Sequence, residues 1–271
     1  MTINPNKALW EKGDFTRIAE TMRQSGEEFV AALGIAPGVQ VLDLGSGDGT
    51  TALPAARLGA NVLGVDIAAN LVAAGNARAA IAGLTNLRFE EGDASALDGL
   101  ADDRFDLIVT LFGAMFAPRP FDVAAEMVRV TRPGSRIVMG NWIPGDPTLI
   151  AQILKISAAY TPPPPEGFVS PVTWGVEENV RERFGNAGIT ADKISCEPTT
   201  WVFRDATPPV DLLATFRDYY GPMMNAFEAA RGNGREAELQ AELTDLFNAQ
   251  NQAGPNATEI PATFLKVTVT K

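Results

Sequence analysis

The segment VLDLGSGDGT, residues 41–50, decides the fold of this chain. It begins as a short apolar run, which is typical of a buried strand, and it ends in the glycines Gly45, Gly47 and Gly49. Glycine lets the backbone turn sharply and approach a ligand without a Cβ in the way. A helix is predicted from Thr50 onward, and the free N–H groups at its start favour a polar or anionic ligand. The segment therefore predicts a strand–loop–helix unit that binds a nucleotide-like molecule.

Three residues around this loop narrow the choice of ligand. The dinucleotide fingerprint G-x-G-x-x-G would require glycine where Thr50 stands. Asp43, two residues before Gly45, would repel a pyrophosphate but suits a cationic amino group. Asp66 follows the second predicted strand, 21 residues after Gly45, at the spacing where a carboxylate accepts hydrogen bonds from ribose hydroxyls. A ligand with a ribose, an ammonium group and no phosphates fits, and S-adenosylmethionine (SAM) is such a ligand.

Strands and helices alternate on both sides of the loop, which indicates βαβ units and a parallel sheet. Strands are predicted at residues 39–44, 60–65, 87–90, 105–111 and 136–142, with helices at 50–58, 70–82 and 121–131. The chain then becomes irregular, with prolines at 144, 147 and 162–165. The remaining predictions are a helix at 176–184, a strand at 193–203 broken at Pro198, helices at 210–230 and 235–250, and a last strand at 262–270. Before the first strand, residues 15–33 have the pattern of an amphipathic helix.

The motifs resemble those of the class I SAM-dependent methyltransferases, most closely the small-molecule branch with ubiquinone- and menaquinone-type C-methyltransferases. The resemblance is strong over residues 34–142 and weak elsewhere. VLDLGSGDGT matches the family's first motif, EGDASAL (91–97) its third, FDLIVTLFGAMF (105–116) its fourth, and RPGSRIVMGNW a helix–strand turn. In the family, the residue that matches Asp93 hydrogen-bonds the adenine amino group, the backbone at Ala94 faces the ring, and residues 110–112 pass the methionine part of SAM.

The resemblance implies an α/β, Rossmann-like fold in a single domain, residues 1–271. Its sheet would be seven-stranded and mostly parallel, in the order 3-2-1-4-5-7-6, with the last strand antiparallel. Helices would cover both faces, and a helical cap would add a lid from the N-terminal helix, about 1–33, and an insertion, about 205–255. The cofactor-binding residues expected are Asp43, Gly45, Ser46, Gly47, Asp66, Ile67, Asp93, Ala94, Thr110, Leu111 and Phe112. Asp93 also fits a helix N-cap, and Asp48 fits a solvated turn as well as a ligand contact.

Composition limits the chemistry and the partners. The net charge of −11 disfavours nucleic acid, whose binding normally requires a basic patch. Histidine is absent and Cys196 is the single cysteine, so His- and Cys-based metal sites and catalytic triads are excluded, and no metal is expected. A general base would have to be Asp, Glu or Tyr. No apolar run is long enough for a membrane span, and a cytoplasmic location is expected. A homodimer is one arrangement that the sequence allows.

Aromatic and methionine side chains occur where loops leave the carboxyl ends of the strands, the edge at which open α/β sheets bind ligands. The predicted acceptor pocket comprises Phe15, Met115, Trp142, Phe168, Trp174, Tyr219, Tyr220 and Met223. The same side chains could instead fill a small second core under the cap. The predicted function is methyl transfer from SAM to a small, largely apolar acceptor molecule. An NAD(P)-dependent oxidoreductase and a non-catalytic SAM-binding module are the alternatives, and the sequence does not identify a catalytic residue.

Overall fold

The apolar run before the glycine loop forms the first strand of a seven-stranded sheet in the computed structural model, which describes residues 6–271. The strands are β1 (Gln40–Leu44), β2 (Asn61–Asp66), β3 (Leu87–Glu91), β4 (Phe105–Leu111), β5 (Thr131–Trp142), β6 (Ile194–Asp205) and β7 (Thr258–Thr270). Their order is β3-β2-β1-β4-β5-β7-β6. The first five are parallel to one another, and β7 is antiparallel to both β5 and β6. The predicted fold class, strand order and antiparallel last strand are confirmed.

The central strands are buried on both faces, which explains their continuous apolar sequences. In β4, Leu107 and Val109 pack into one hydrophobic cluster, whereas Ile108 packs into another on the opposite face. Eleven α-helices are assigned among residues 6–271: α1 (Asn6–Lys12), α2 (Phe15–Glu20), α3 (Arg23–Ala31), α4 (Ala52–Arg57), α5 (Ala69–Ile81), α6 (Pro120–Val130), α7 (Leu149–Ala158), α8 (Glu177–Asn186), α9 (Pro209–Tyr219), α10 (Gly221–Gly232) and α11 (Glu236–Gln250). Helices α3 and α4 supply side chains to the first cluster, and α6 and α8 to the second. The sheet is therefore a middle layer between helices.

The N-terminal segment is divided into three helices, and the prediction of one helix over residues 15–33 is wrong. Asp14 caps α2 by accepting a hydrogen bond from the Thr16 N–H at 3.2 Å. Before it, Gly13 lies so close to the Tyr219 carbonyl that a Cβ would not fit. At the end of α2 the Thr21 hydroxyl donates to the Ile18 carbonyl at 2.7 Å, and α3 begins two residues later. These local hydrogen bonds compete with a continuous helix.

Three further differences from the sequence predictions have local causes. The helix predicted at 210–230 is two helices, because Pro222 lacks the N–H that would continue α9, and it lies instead in the first turn of α10. The predicted break at Pro198 is absent. Strand β6 continues through Pro198. Because β6 lies at the edge of the sheet, its outward N–H groups have no partner strand, and a proline without an N–H is tolerated there. Helix α7 was not predicted, since it lies within the proline-rich stretch.

Candidate active site

Two loops meet at the carboxyl end of the sheet, one after β1 and one after β4. Gly45 adopts a positive φ of 68°, and a Cβ at this position would lie 2.6 Å from the Cα of Gly113. A Cβ on Gly113 would in turn lie 2.7 Å from the Cα of Gly45. The loops therefore pack backbone against backbone, and both positions require glycine. Gly113 was not singled out from the sequence, although it directly follows the residues predicted to pass the cofactor.

Asp66 at the end of β2 holds the glycine loop in place. One carboxylate oxygen accepts a hydrogen bond from the Gly47 N–H at 2.8 Å, and the other accepts one from the Ala68 N–H at 2.9 Å. Burial raises the pKa of Asp66, and the backbone N–H donors oppose that effect. The side chain is 8% exposed and lines the cleft described below, so its oxygens can accept further hydrogen bonds from a ligand.

Asp43 lies beneath the loop and is buried. Its carboxylate accepts a hydrogen bond from the Thr51 hydroxyl at the start of the next helix. Burial raises the pKa of Asp43 to about 7, the Thr51 hydrogen bond lowers it, and the charge of Asp66 raises it. Near neutral pH this group can therefore exchange a proton when a nearby cation arrives.

Asp48 is buried, with its side chain 3% exposed, so the solvated-turn interpretation is wrong. Arg23 of α3 pairs with one carboxylate oxygen and also donates to the Thr50 hydroxyl. Arg78 of α5 approaches the same oxygen at 3.4 Å. The other oxygen, Oδ1, is buried and has no hydrogen-bond partner among the described residues. Asp48 thus joins α3 and α5 to the glycine loop.

A single cleft follows these loops and encloses about 930 Å³, part of it open to solvent. Among the residues predicted to bind cofactor, those lining it are Gly45, Ser46, Gly47, Asp66, Ile67, Asp93, Ala94, Leu111 and Phe112. Asp43 and Thr110 lie behind the lining, and the Thr110 hydroxyl accepts a hydrogen bond from the Ala114 N–H at 3.0 Å. Asp93 accepts hydrogen bonds from the N–H and hydroxyl of Ser95, at 2.9 and 2.6 Å, so it serves as a local cap while it also lines the cleft.

Of the predicted acceptor residues, only Phe15 lines this cleft. Trp142 stacks beneath Phe112 with ring centroids 3.7 Å apart, and Tyr220 packs behind Phe15 at 6.2 Å. The other buried members are Met115, Trp174 and Met223, and the exposed members are Phe168 and Tyr219. These seven side chains act as packing or surface groups around the cleft, as the second-core alternative expects for most of them.

Further residues line the cleft although they were not predicted as site residues. The polar or large ones are Asn6, Trp10, Met22, Asp48, Thr50, Thr51, Phe116 and Trp201, and the remaining ones are Leu44, Val65, Leu71, Gly92, Gly113, Ala114 and Ala117. Trp10 and Phe116 lie edge to face, with ring centroids 4.8 Å apart. Their aromatic character was visible in the sequence, but nothing in the local pattern distinguished them from the buried aromatics.

The described residues fit SAM. Gly47 lines the cleft with a positive φ of 54° and open space where a Cβ would stand, and the Ser46 hydroxyl and Asp48 Oδ1 are buried polar atoms without partners in the described residues of the cleft wall. Asp66 lines the cleft at the end of β2, the position expected of a carboxylate that accepts hydrogen bonds from ribose hydroxyls, and no Lys or Arg lines the described part of the cleft, as suits a ligand without phosphates. Among residues 6–271 no group of three or more His, Cys, Asp or Glu side chains could hold a metal ion. Within the same residues, none of the helices has the length and hydrophobicity to cross a membrane.

The sheet order and the glycine loop define a methyltransferase of class I, and comparisons with known proteins agree. A methyltransferase domain family matches residues 42–139. An uncharacterized protein of Mycobacterium tuberculosis is 35% identical over 243 residues, which cover 89% of this chain and 86% of that protein. A demethylmenaquinone methyltransferase of Beutenbergia cavernae is 38% identical over 111 residues, 41% of this chain and 44% of that enzyme.

A solved structure shows the same fold. The phosphoethanolamine N-methyltransferase 2 of Haemonchus contortus, in complex with phosphomonomethylethanolamine and S-adenosylhomocysteine, superimposes with a TM-score of 0.59 at 14% identity. The match covers 98% of this chain and 59% of that chain. The chain therefore belongs to the class I SAM-dependent methyltransferases, and SAM is its cofactor.

Proposed function

We propose that this enzyme transfers the methyl group of SAM to a small, largely apolar molecule that binds against Trp10, Phe15 and Phe116. The observation that carries the proposal is the continuity of one cleft, which joins the aspartate-lined loops to these three aromatic rings. Trp10 contacts both others, with centroid distances of 5.7 Å to Phe15 and 4.8 Å to Phe116. Concave aromatic walls next to a few fixed polar groups are typical of small-molecule sites. We call these three residues the aromatic wall.

The charges around the cleft limit the class of acceptor. Because no Lys or Arg is among the described lining residues, a polyanionic acceptor has no counter-charge there. Each lining carboxylate already accepts at least one hydrogen bond or ion pair: Asp48 from Arg23, Asp66 from backbone N–H groups and Asp93 from Ser95. Burial raises the pKa of Tyr220, so it holds its proton. These groups favour an acceptor that is nucleophilic without help from a base, such as a thiolate, a neutral amine or a stabilised carbanion.

The chain's contribution would then be alignment and exclusion of water, since methyl transfer from a sulfonium is an in-line displacement. Helix α1 supports this role. Asn6 donates a hydrogen bond to the Phe116 carbonyl, and Lys7 pairs with Glu91 at the end of β3. On the other side, Lys12 pairs with Glu228 of α10 at 2.8 Å. We infer that α1 forms a lid over the cleft, supported from behind by α9 and α10.

A labelled-methyl assay tests the proposal. Wild-type protein and SAM with a labelled methyl group would be incubated with a panel of thiols, amines and hydroquinones. With the best acceptor, Phe116→Ala should lower kcat/KM at least about tenfold, because about 1.4 kcal/mol of acceptor contact is lost. S-adenosylhomocysteine should bind this variant within about twofold of wild type.

Phe121→Ala is the matched control, because this phenylalanine is 45% exposed on α6 and does not line the cleft. Its kcat/KM should stay within about twofold of wild type. Label that passes to proteins or RNA but to no small molecule would refute the proposed acceptor class. No transfer at all despite tight S-adenosylhomocysteine binding would favour a non-catalytic SAM-binding module. Thermal stabilisation by NAD(P)H and not by S-adenosylhomocysteine would favour an oxidoreductase.

The single-domain assignment, the cytoplasmic location and a homodimer stay predictions. Sedimentation of the purified full-length chain would measure the oligomeric state directly.

A further inference from the structure

Trp201 has a buried hydrogen-bond donor that the protein leaves unused. The residue lies on β6, is 1% exposed and contributes to the cleft wall. Its indole Nε1–H donates to no acceptor among the described residues. A buried N–H without a partner costs about 1–3 kcal/mol, so native proteins normally satisfy such groups. A bound ligand that supplies an acceptor atom would remove this cost.

The position of the ring is fixed by three phenylalanines. Phe112 packs edge to face on it at 5.3 Å, Phe264 at 6.3 Å, and Phe29 of α3 lies at 6.5 Å. A ring held on several sides cannot rotate to find a distant partner, so its N–H is preorganised for one location. Preorganised donors bind with little loss of side-chain entropy.

Trp201 belongs to the glycine-loop end of the cleft. Its partner Phe112 is followed by Gly113, whose backbone packs on Gly45. The aromatic wall, in contrast, is held together by contacts among its own members and Tyr220. The Trp201 ring therefore packs at the glycine-loop end of the cleft, where the methionine part of a bound SAM is expected, and not against the aromatic wall.

The charged groups at the glycine-loop end of the cleft leave the cofactor carboxylate without a cationic partner, so a hydrogen-bond donor is needed there. SAM ends in an α-ammonium group and an α-carboxylate. Asp43 and Asp48 suit the ammonium, but the carboxylate meets no Lys or Arg in the described lining. A neutral N–H in apolar surroundings forms a strong, charge-assisted hydrogen bond to a carboxylate.

We propose that the Trp201 indole N–H donates a hydrogen bond to the α-carboxylate of SAM. This inference rests on the proposed function only in requiring that SAM occupies the cleft. It assigns a cofactor-binding role to a residue of β6, far along the chain from the motif loops.

Binding calorimetry with two ligands tests the assignment. S-adenosylhomocysteine carries the carboxylate, and 5′-methylthioadenosine lacks the whole amino-acid part. Trp201→Phe keeps the aromatic ring and removes the donor. We expect this variant to bind S-adenosylhomocysteine at least about tenfold more weakly than wild type and 5′-methylthioadenosine within about twofold.

Trp174→Phe is the matched control. Trp174 is also 1% exposed, and its N–H also lacks a partner among the described residues, but it does not line the cleft. Both ligands should bind this variant as they bind wild type. An unchanged S-adenosylhomocysteine affinity in Trp201→Phe, or equal weakening for both ligands, would overturn the assignment. Wild-type protein that binds neither ligand would instead refute the proposed function.

If Trp201→Phe does not fold, the wild-type protein still gives an answer by ¹⁵N NMR. The chain has four tryptophans, so the Trp201 indole N–H can be assigned by elimination with variants at the other three. Its proton resonance should move downfield on addition of S-adenosylhomocysteine and stay in place with 5′-methylthioadenosine. A resonance that responds alike to both ligands would contradict the hydrogen bond.

Discussion

We predict that the buried carboxylate of Asp43 makes cofactor binding depend on pH. Its pKa is raised to about 7, chiefly by burial, so it is protonated in the ligand-free enzyme at acidic pH. The α-ammonium of the cofactor favours the ionised form of a carboxylate beneath the same loop, so binding requires loss of that proton. Affinity should therefore rise with pH until about pH 7 and level off above it.

The size of the effect follows from the pKa. At pH 5.5 the group lies about 1.5 pH units below its pKa, and removing the proton costs about 2 kcal/mol at ~1.36 kcal/mol per unit. The dissociation constant of S-adenosylhomocysteine should be about thirtyfold higher at pH 5.5 than at pH 8. Calorimetry in buffers with different ionisation enthalpies would also detect up to one proton released per ligand near pH 6.

Two controls isolate Asp43. 5′-Methylthioadenosine has the ribose that faces Asp66 but no ammonium, so its affinity should change much less over this range. In Asp43→Asn the affinity ratio of the two ligands should be the same at both pH values. If the ratio of the two ligands' affinities for the wild-type protein is also constant between pH 5.5 and 8, Asp43 does not interact with the ammonium group, and the prediction is wrong.

Three further substitutions test the site. Asp66→Ala should weaken S-adenosylhomocysteine binding at least about tenfold, about 1.4 kcal/mol, by calorimetry, and an unchanged value in a folded variant would exclude Asp66 from the site. Gly113→Ala should weaken binding similarly, because its Cβ would push the Gly45 loop away, whereas Gly185→Ala, with open space around it, should bind normally. Trp142→Ala should lower the free energy of unfolding by about 3–5 kcal/mol in urea titrations, since it removes the ring stacked under Phe112, and a loss below 1 kcal/mol would refute that packing role.

The elements that could be predicted from the sequence are those whose residues follow a local hydrophobic pattern. Residues 39–142 alternate between apolar runs and helices, because the central parallel strands are buried on both faces. The strand order, by contrast, came from the family resemblance, since periodicity does not specify which strands are neighbours. Helix α7 was missed because the prolines around it hide an apolar helix pattern.

Within the site, too, local segments could be predicted from the sequence, whereas long-range packing could not. Most predicted cofactor residues line the cleft because short continuous segments at strand ends build it. Trp142 and Trp201 illustrate why the aromatics could not be sorted. Both are large, buried and close to Phe112, but only Trp201 forms part of the cleft wall. That difference depends on how β6 and α3 pack, and no spacing in the sequence encodes it.

Helix α1 has a consequence for the speed of the catalytic cycle. It has no fully buried residue, and besides Trp10 it is held by exposed polar contacts such as Lys7–Glu91 and Lys12–Glu228. Exposed ion pairs are worth about 0–1 kcal/mol and weaken as salt increases. Detaching this helix should therefore cost less free energy than unfolding the sheet, and we expect the spent cofactor to leave on the timescale of local opening. We therefore expect dissolved salt to accelerate product release by loosening the helix that carries Trp10 of the aromatic wall.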